Sequence, residues 1–158
     1  MMYYPEAVPR TELTQAMVAK AIRRNVRSML APIPLVGVRG MRRLAARLQA
    51  LPPQAAHTVD YIGHLVRMQE EIGTGGAGFR FIYAAFLQEA ADAVAMPQLA
   101  AFSDRLTAIG DGWRAFALKA ARMVKGREAV DPPRLAALLR AQADQEEAFF
   151  RDLRRAVA

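Results

Sequence analysis

At 158 residues the chain has the length of one domain, and by size scaling such a domain buries roughly two thirds of its unfolded surface. The absence of cysteine excludes disulfides, thiolate nucleophiles and cysteine-type metal sites within the chain itself. Leu, Ala, Met, Arg, Gln and Glu outweigh Val, Ile and Thr, so helix propensity exceeds strand propensity almost everywhere, and the expected fold is an all-α, single-domain bundle of about six helices. The net charge is +7, and residues 1–50 carry all of it, with nine basic residues against Glu6 and Glu12, while the remainder balances. An excess confined to one end favours an acidic partner docking there.

Apolar spacing and proline punctuation divide the chain into an extended arm (1–10), a basic helical pair (11–51) and a helical core (52–158). The first helix runs from an N-cap at Thr11 to Leu30, with Leu13, Met17, Ala21, Ile22, Val26, Met29 and Leu30 on its apolar stripe. Pro32 and Pro34 end it, because proline lacks an N–H and disfavours helical geometry in the residue before it. The second spans Val38 to Leu51, with Val38, Met41, Leu44, Leu48 and Leu51 inward, and stops at Pro52 and Pro53. The third, Gln54 to Ile72, presents Val59, Ile62, Leu65, Val66, Gln69 and Ile72.

A fourth helix over Phe79 to Ala95 places Phe79, Ile82, Tyr83, Phe86 and Leu87 on one side. The fifth, Met96 to Lys125, carries Leu99, Phe102, Leu106, Ile109, Trp113, Phe116, Ala120 and Met123, with Gly110 and Gly112 allowing a bend or close packing midway. Pro132 and Pro133 open the last, which runs to Val157 with Leu135, Leu138, Leu139, Gln142, Phe149 and Leu153 inward. No charge-free stretch approaches the roughly 18 apolar residues of a membrane span. The opening MMYYPEAVPR lacks an apolar signal core, so a soluble cytoplasmic protein without membrane contact is expected.

Four of the ten glycines, Gly73, Gly75, Gly76 and Gly78, fall within six positions between the third and fourth helices. The stretch formally spells G-x-G-x-x-G, but the element before it is helical and no βαβ unit follows; nor does it carry the Lys of a P-loop. A helix stop and restart explains it better, with Gly73 at the left-handed C′ position and Thr74 as a cap. Gly73, Thr74, Gly75, Gly76 and Gly78, with Arg80 and Tyr83, form the best candidate for a ligand or anion site, since helix N-termini favour negative charge. His57, Asp60, His64 and Glu71 imitate a metal-ligand row on the third helix, but a charged outer face is the ordinary arrangement. No metal and no cofactor is expected. Trp113, Phe116 and Phe102 read as core, and Glu89, Asp92, Glu146 and Glu147 as solvated carboxylates. Arg23, Arg27, Arg39, Arg42, Arg43 and Arg47 read as a docking face. Nucleic acid is disfavoured, because no helix-turn-helix pattern or stacking aromatics accompany them.

GVRGMRRLAARL (37–48) and IGTGGAGFRFIYAAFLQEAA (72–91), with the proline-bearing entry YYPEAVPRTELTQAMVAKAI and the Trp113 helix, together resemble the helical domain of unknown function found C-terminal to the butirosin-biosynthesis protein H (BtrH-type) N-terminal domain. The resemblance covers nearly the whole chain. In that family the N-terminal half resembles a cysteine-dependent domain that moves an aminoacyl group from an acyl carrier protein to an amine. The resemblance therefore implies a stand-alone or split helical partner domain, with an acyl carrier protein or a cysteine-bearing acyltransferase-like domain as its partner. The expected role is a non-catalytic accessory or substrate-presenting subunit of such a biosynthetic system. The alternatives are a small-molecule-binding protein or enzyme with a pocket at the glycine loop, and a homodimeric nucleic-acid-binding module.

Overall fold

Six α-helices follow one another in the computed structural model, which describes residues 12–72 and 76–158. They are α1 (Gln15–Met29), α2 (Gly37–Gln49), α3 (Ala56–Glu70), α4 (Arg80–Ala93), α5 (Gln98–Val124) and α6 (Pro132–Ala156), with a 3₁₀ turn (Ala77–Phe79) leading into α4. Among the described residues there is no strand, so the all-α single-domain expectation holds. The 1–10 arm, the Thr11 cap, and Gly73, Thr74 and Gly75 lie outside the described residues.

Local chemistry sets the helix ends. Thr14 caps α1, accepting from the Met17 N–H at 3.3 Å, and Asp131 caps α6, accepting from the Arg134 N–H at 3.0 Å with Pro132 and Pro133 behind it. Each satisfies a first-turn N–H that has no partner within the helix. Helix α5 ends at Gly126, whose positive φ lets the N–H of Arg127 return to the Arg122 carbonyl. Helix α5 runs unbroken for 27 residues through Gly110 and Gly112 rather than breaking at them. They permit close packing instead: a Cβ on Gly110 would lie 2.6 Å from the Phe81 ring, and one on Gly112 2.0 Å from Gln142 Nε2.

The two longest helices, α5 and α6, pack on each other and organise the rest: α4 and α3 lie on α5, while α2 and α1 lie on α6. Leu99, Leu106, Leu135, Leu139, Phe149 and Leu153 are fully buried between them. Helix α1 contributes Val18, Ile22 and Val26 to this core, whereas Leu13, Met17 and Ala21, expected on its inward stripe, are exposed. The buried arc is rotated away from them, because α1 meets α6 along the 18–22–26 line. Ile72, Phe79, Ile82 and Leu138, also expected inward, are likewise exposed; on α4 the buried positions are Leu87 and the small residues Ala84, Ala90 and Ala91, which let α4 approach α5. Among the described residues no helix is long and apolar enough to cross a membrane.

Candidate binding site

The chain entering α4 is wound with the wrong hand. Gly76, Ala77, Gly78 and Phe79 have φ of 85°, 51°, 54° and 70°, four successive residues in a region that L side chains avoid at a cost of about 1–2 kcal/mol each. Gly76 and Gly78 bear this freely; Ala77 and Phe79 do not. Such strain persists only where the surroundings enforce it, and three helices do so. From α3, Glu70 Oε1 accepts from the Ala77 N–H at 3.1 Å and from Gln69 Nε2 at 2.9 Å. Gln69 Nε2 also reaches the Trp113 carbonyl of α5 at 2.9 Å. From α6, Glu146 receives the first residue of α4.

Glu146 has no exposed surface. Its carboxylate accepts from Arg80 Nε at 2.8 Å and Arg80 Nη2 at 2.9 Å, and from the Trp113 indole N–H at 2.6 Å. The Arg80 guanidinium lies 4.8 Å over the Trp113 ring and donates through Nη1 to the Gly78 carbonyl at 2.7 Å. The reading of Glu146 as solvated is thus corrected: it is the electrostatic centre of the bundle. A buried carboxylate is tolerable only with such partners. The signal was present in the sequence, because 135, 139, 142, 146, 149 and 153 alternate by four and three, so Glu146 continues the inward stripe of α6. Trp113 is core, as expected, and also a hydrogen-bond donor.

Beside this cluster a pocket of about 220 Å³ opens between α1 and the α4–α6 face, lined by Met29, Phe79, Tyr83, Leu106 and Phe150, with Asn25, Gly78 and Arg80 contributing polar edges. Tyr83 stacks on Phe86 and Phe150 with centroids 5.7 and 6.4 Å away. Its hydroxyl is buried without a hydrogen-bond partner, and burial pushes the phenol well above its ordinary pKa. Arg80 commits three of its five N–H donors and keeps a 21% exposed side chain. Arg80, Tyr83 and Gly78 of the candidate ligand site therefore come together at one pocket, and Gly76 sits behind them against Glu70 and Arg114. Asn25, Met29, Leu106 and Phe150 were missed because they arrive from three other helices.

Arg23, Arg27, Arg39, Arg42, Arg43 and Arg47 are all exposed, but they are not equivalent. Arg42 bridges Asp144 at 2.6 Å and Glu147 at 2.5 Å on α6; these contacts raise its pKa, and with Arg151 they hold Glu147 below the usual carboxylate range. Arg23 donates to the Val157 carbonyl, Arg39 to that of Pro32, and Arg47 lies over the Tyr61 ring. His57, Asp60 and His64 are exposed on α3, and among the described residues no group of three or more His, Asp or Glu is arranged to hold a metal ion.

No curated protein matches the chain. A family model does, over residues 1–153, a span that includes every helix described above except the last residues of α6. The chain belongs to the family defined as a domain of unknown function, DUF4872.

Proposed function

We propose that this domain is a non-catalytic, substrate-presenting partner in an acyl-carrier-dependent acyl-transfer system, and that it holds the acyl group in the pocket beside Arg80. The observation that carries this reading is Tyr83, which lines a pocket otherwise built from Met29, Phe79, Leu106 and Phe150 and whose hydroxyl is buried without a partner. An unpaired buried hydroxyl costs about 1–3 kcal/mol, a cost relieved when a ligand brings a hydrogen-bond acceptor. An acyl group matches that demand: an apolar body for the walls and one carbonyl for Tyr83 and the uncommitted N–H groups of Arg80. The exposed arginines of α1 and α2 would steer an acidic carrier protein toward α1, whose Asn25 and Met29 line the pocket. The resemblance to the helical partner of BtrH-type acyltransferases points in the same direction.

The test is a thermal-shift and calorimetric titration with short acyl thioesters of N-acetylcysteamine. Wild-type protein should show a saturable shift that requires the acyl chain. Tyr83→Phe should be about 1 kcal/mol more stable without ligand, since the orphan hydroxyl is gone, yet bind roughly 10-fold more weakly for want of one hydrogen bond. A Tyr83→Phe variant that binds as well as wild type, or a wild type with no acyl-dependent shift, refutes the assignment.

A further inference from the structure

A second concavity, which shares only Met29 with the acyl pocket, lies where the end of α1 and the start of α2 meet the C-terminal half of α6. It has a volume of about 290 Å³, and four arginines line it, Arg39 and Arg42 from α2 with Arg151 and Arg154 from α6, together with Glu147. Two of the four are accounted for by carboxylates: Arg42 bridges Asp144 and Glu147, and Arg151 also donates to Glu147. Among the described residues Arg39 has only the Pro32 carbonyl, at 3.3 Å, and Arg154 forms no ion pair. Four guanidinium charges against two carboxylates leave an uncompensated charge equal to that of a dianion.

Stability does not explain this arrangement. Arginine in the first turn of a helix opposes the helix dipole, and α2 carries Arg39 there with no acidic residue in the turn and no side-chain cap on Val36. Gathering like charges from two elements over 100 residues apart in sequence in one concave, polar site raises their mutual repulsion, which an arriving anion converts into attraction. Guanidinium groups are weakly hydrated and pair bidentately with phosphate oxygens. Glu147, held between Arg42 and Arg151, fixes the orientation of two of the forks, leaving Arg39 and Arg154 to engage a ligand.

We propose that this pocket binds a phosphate dianion carried by a small phosphomonoester, with Arg39 and Arg154 as the primary contacts and Arg42 and Arg151 as the charged backing. The volume, about 290 Å³, lies just below the roughly 300 Å³ at which drug-sized sites begin and suits a phosphate with a short organic group. The two pockets share the Met29 wall but no polar residue, so this proposal stands or falls separately from the acyl pocket.

The experiment is a calorimetric and thermal-shift titration with inorganic phosphate and with glycerol 3-phosphate, each against sodium chloride of equal ionic strength. Both probes should raise the unfolding temperature saturably. Because Arg39 and Arg154 are exposed, Arg39→Gln/Arg154→Gln should fold normally, and it should lose at least 10-fold in affinity; Arg43→Gln, an exposed α2 arginine outside the pocket, should bind as wild type does. A shift that chloride reproduces overturns the proposal, as does an equal loss in Arg43→Gln or undiminished binding in the double variant. Binding of phosphate without glycerol 3-phosphate would show that the site takes the free ion and overturn the phosphomonoester assignment.

Discussion

Removing the carboxylate of Glu146 is the most informative single change to this molecule. Glu146→Ala leaves the Arg80 guanidinium facing an apolar gap, frees the Trp113 indole N–H with no acceptor, and empties the volume of a carboxymethyl group at a site with no solvent access. Breaking a buried pair by deleting one partner costs about 3–5 kcal/mol. Arg80 is 21% exposed, so some of its charge can turn toward the pocket and water, which places the expected loss near the lower bound, about 3 kcal/mol. For a domain of this size the total stability is about 5–15 kcal/mol, and with a urea slope of about 2 kcal/mol/M the midpoint should fall by about 1.5 M. Trp113 is the sole tryptophan and touches the perturbed group, so its fluorescence reports the transition directly. Replacing both members, as Arg80→Met/Glu146→Leu, removes the uncompensated charge along with the pair and should recover more than half of the loss. A single-variant loss below about 1 kcal/mol, or a double variant as unstable as the single one, would refute the view that Glu146 is a buried charge balanced by Arg80.

Two further substitution sets probe the backbone and the surface charges. Gly37 begins α2 with φ +54°, and a Cβ there would lie 2.2 Å from the Met29 carbonyl oxygen; Gly37→Ala should therefore lose about 2–5 kcal/mol from left-handed strain and backbone overlap together. Gly63→Ala, where the added Cβ would meet only Val124 methyls at 3.6 and 3.8 Å, should gain about 0.5–1 kcal/mol from helix propensity; urea midpoints that move in the same direction for both would contradict these geometries. Acid lability follows from Glu147, whose carboxyl is held low by Arg42 and then Arg151. A depressed folded-state pKa contributes stability that is complete above the unfolded value of about 4.3 and vanishes as pH falls through the folded one. Glu147→Gln should thus lower stability at pH 7 and make the acid limb shallower, while Asp152 and Glu128, also held low, continue to contribute to it; an acid limb parallel to wild type would rule this contribution out.

The helices were legible because their boundaries are written in residues that act locally. Pro32 and Pro34, Pro52 and Pro53, and Pro132 and Pro133 stop or start helices through their own ring geometry, and α5 and α6 repeat their apolar residues with the period of a buried stripe. What the sequence hid were matters of partnership. Helix α1 has two adjoining apolar arcs, Leu13–Met17–Ala21 and Val18–Ile22–Val26, and periodicity cannot say which of them α6 will cover. Glu146 sits in register with Leu139 and Leu153, but the guanidinium that makes it tolerable is 66 positions away. Of the candidate ligand site, Arg80 and Tyr83 were legible as residues at a helix entrance; the left-handed winding through Ala77 and Phe79 was not, since nothing about those residue types calls for positive φ.

Several departures from local rules gather in one corner. Ala77 and Phe79 carry positive φ, Glu146 is a buried charge, and the Tyr83 hydroxyl is buried unpaired, all adjoining the same pocket or the arginine on its edge. Natural sequences keep local preference and global fold consistent except where a site requires otherwise. Arg80 explains why these departures coincide: its Nη1 holds the Gly78 carbonyl of the strained turn, Glu146 and the Trp113 ring fix the plane of its guanidinium, and its side chain borders the pocket. On the proposed function, a ligand carbonyl arriving there would meet a guanidinium whose orientation the fold has already set, so little ordering would be left for binding to supply. On this reading the strain and the buried charge are what keep the pocket's one cationic edge in place before any ligand arrives.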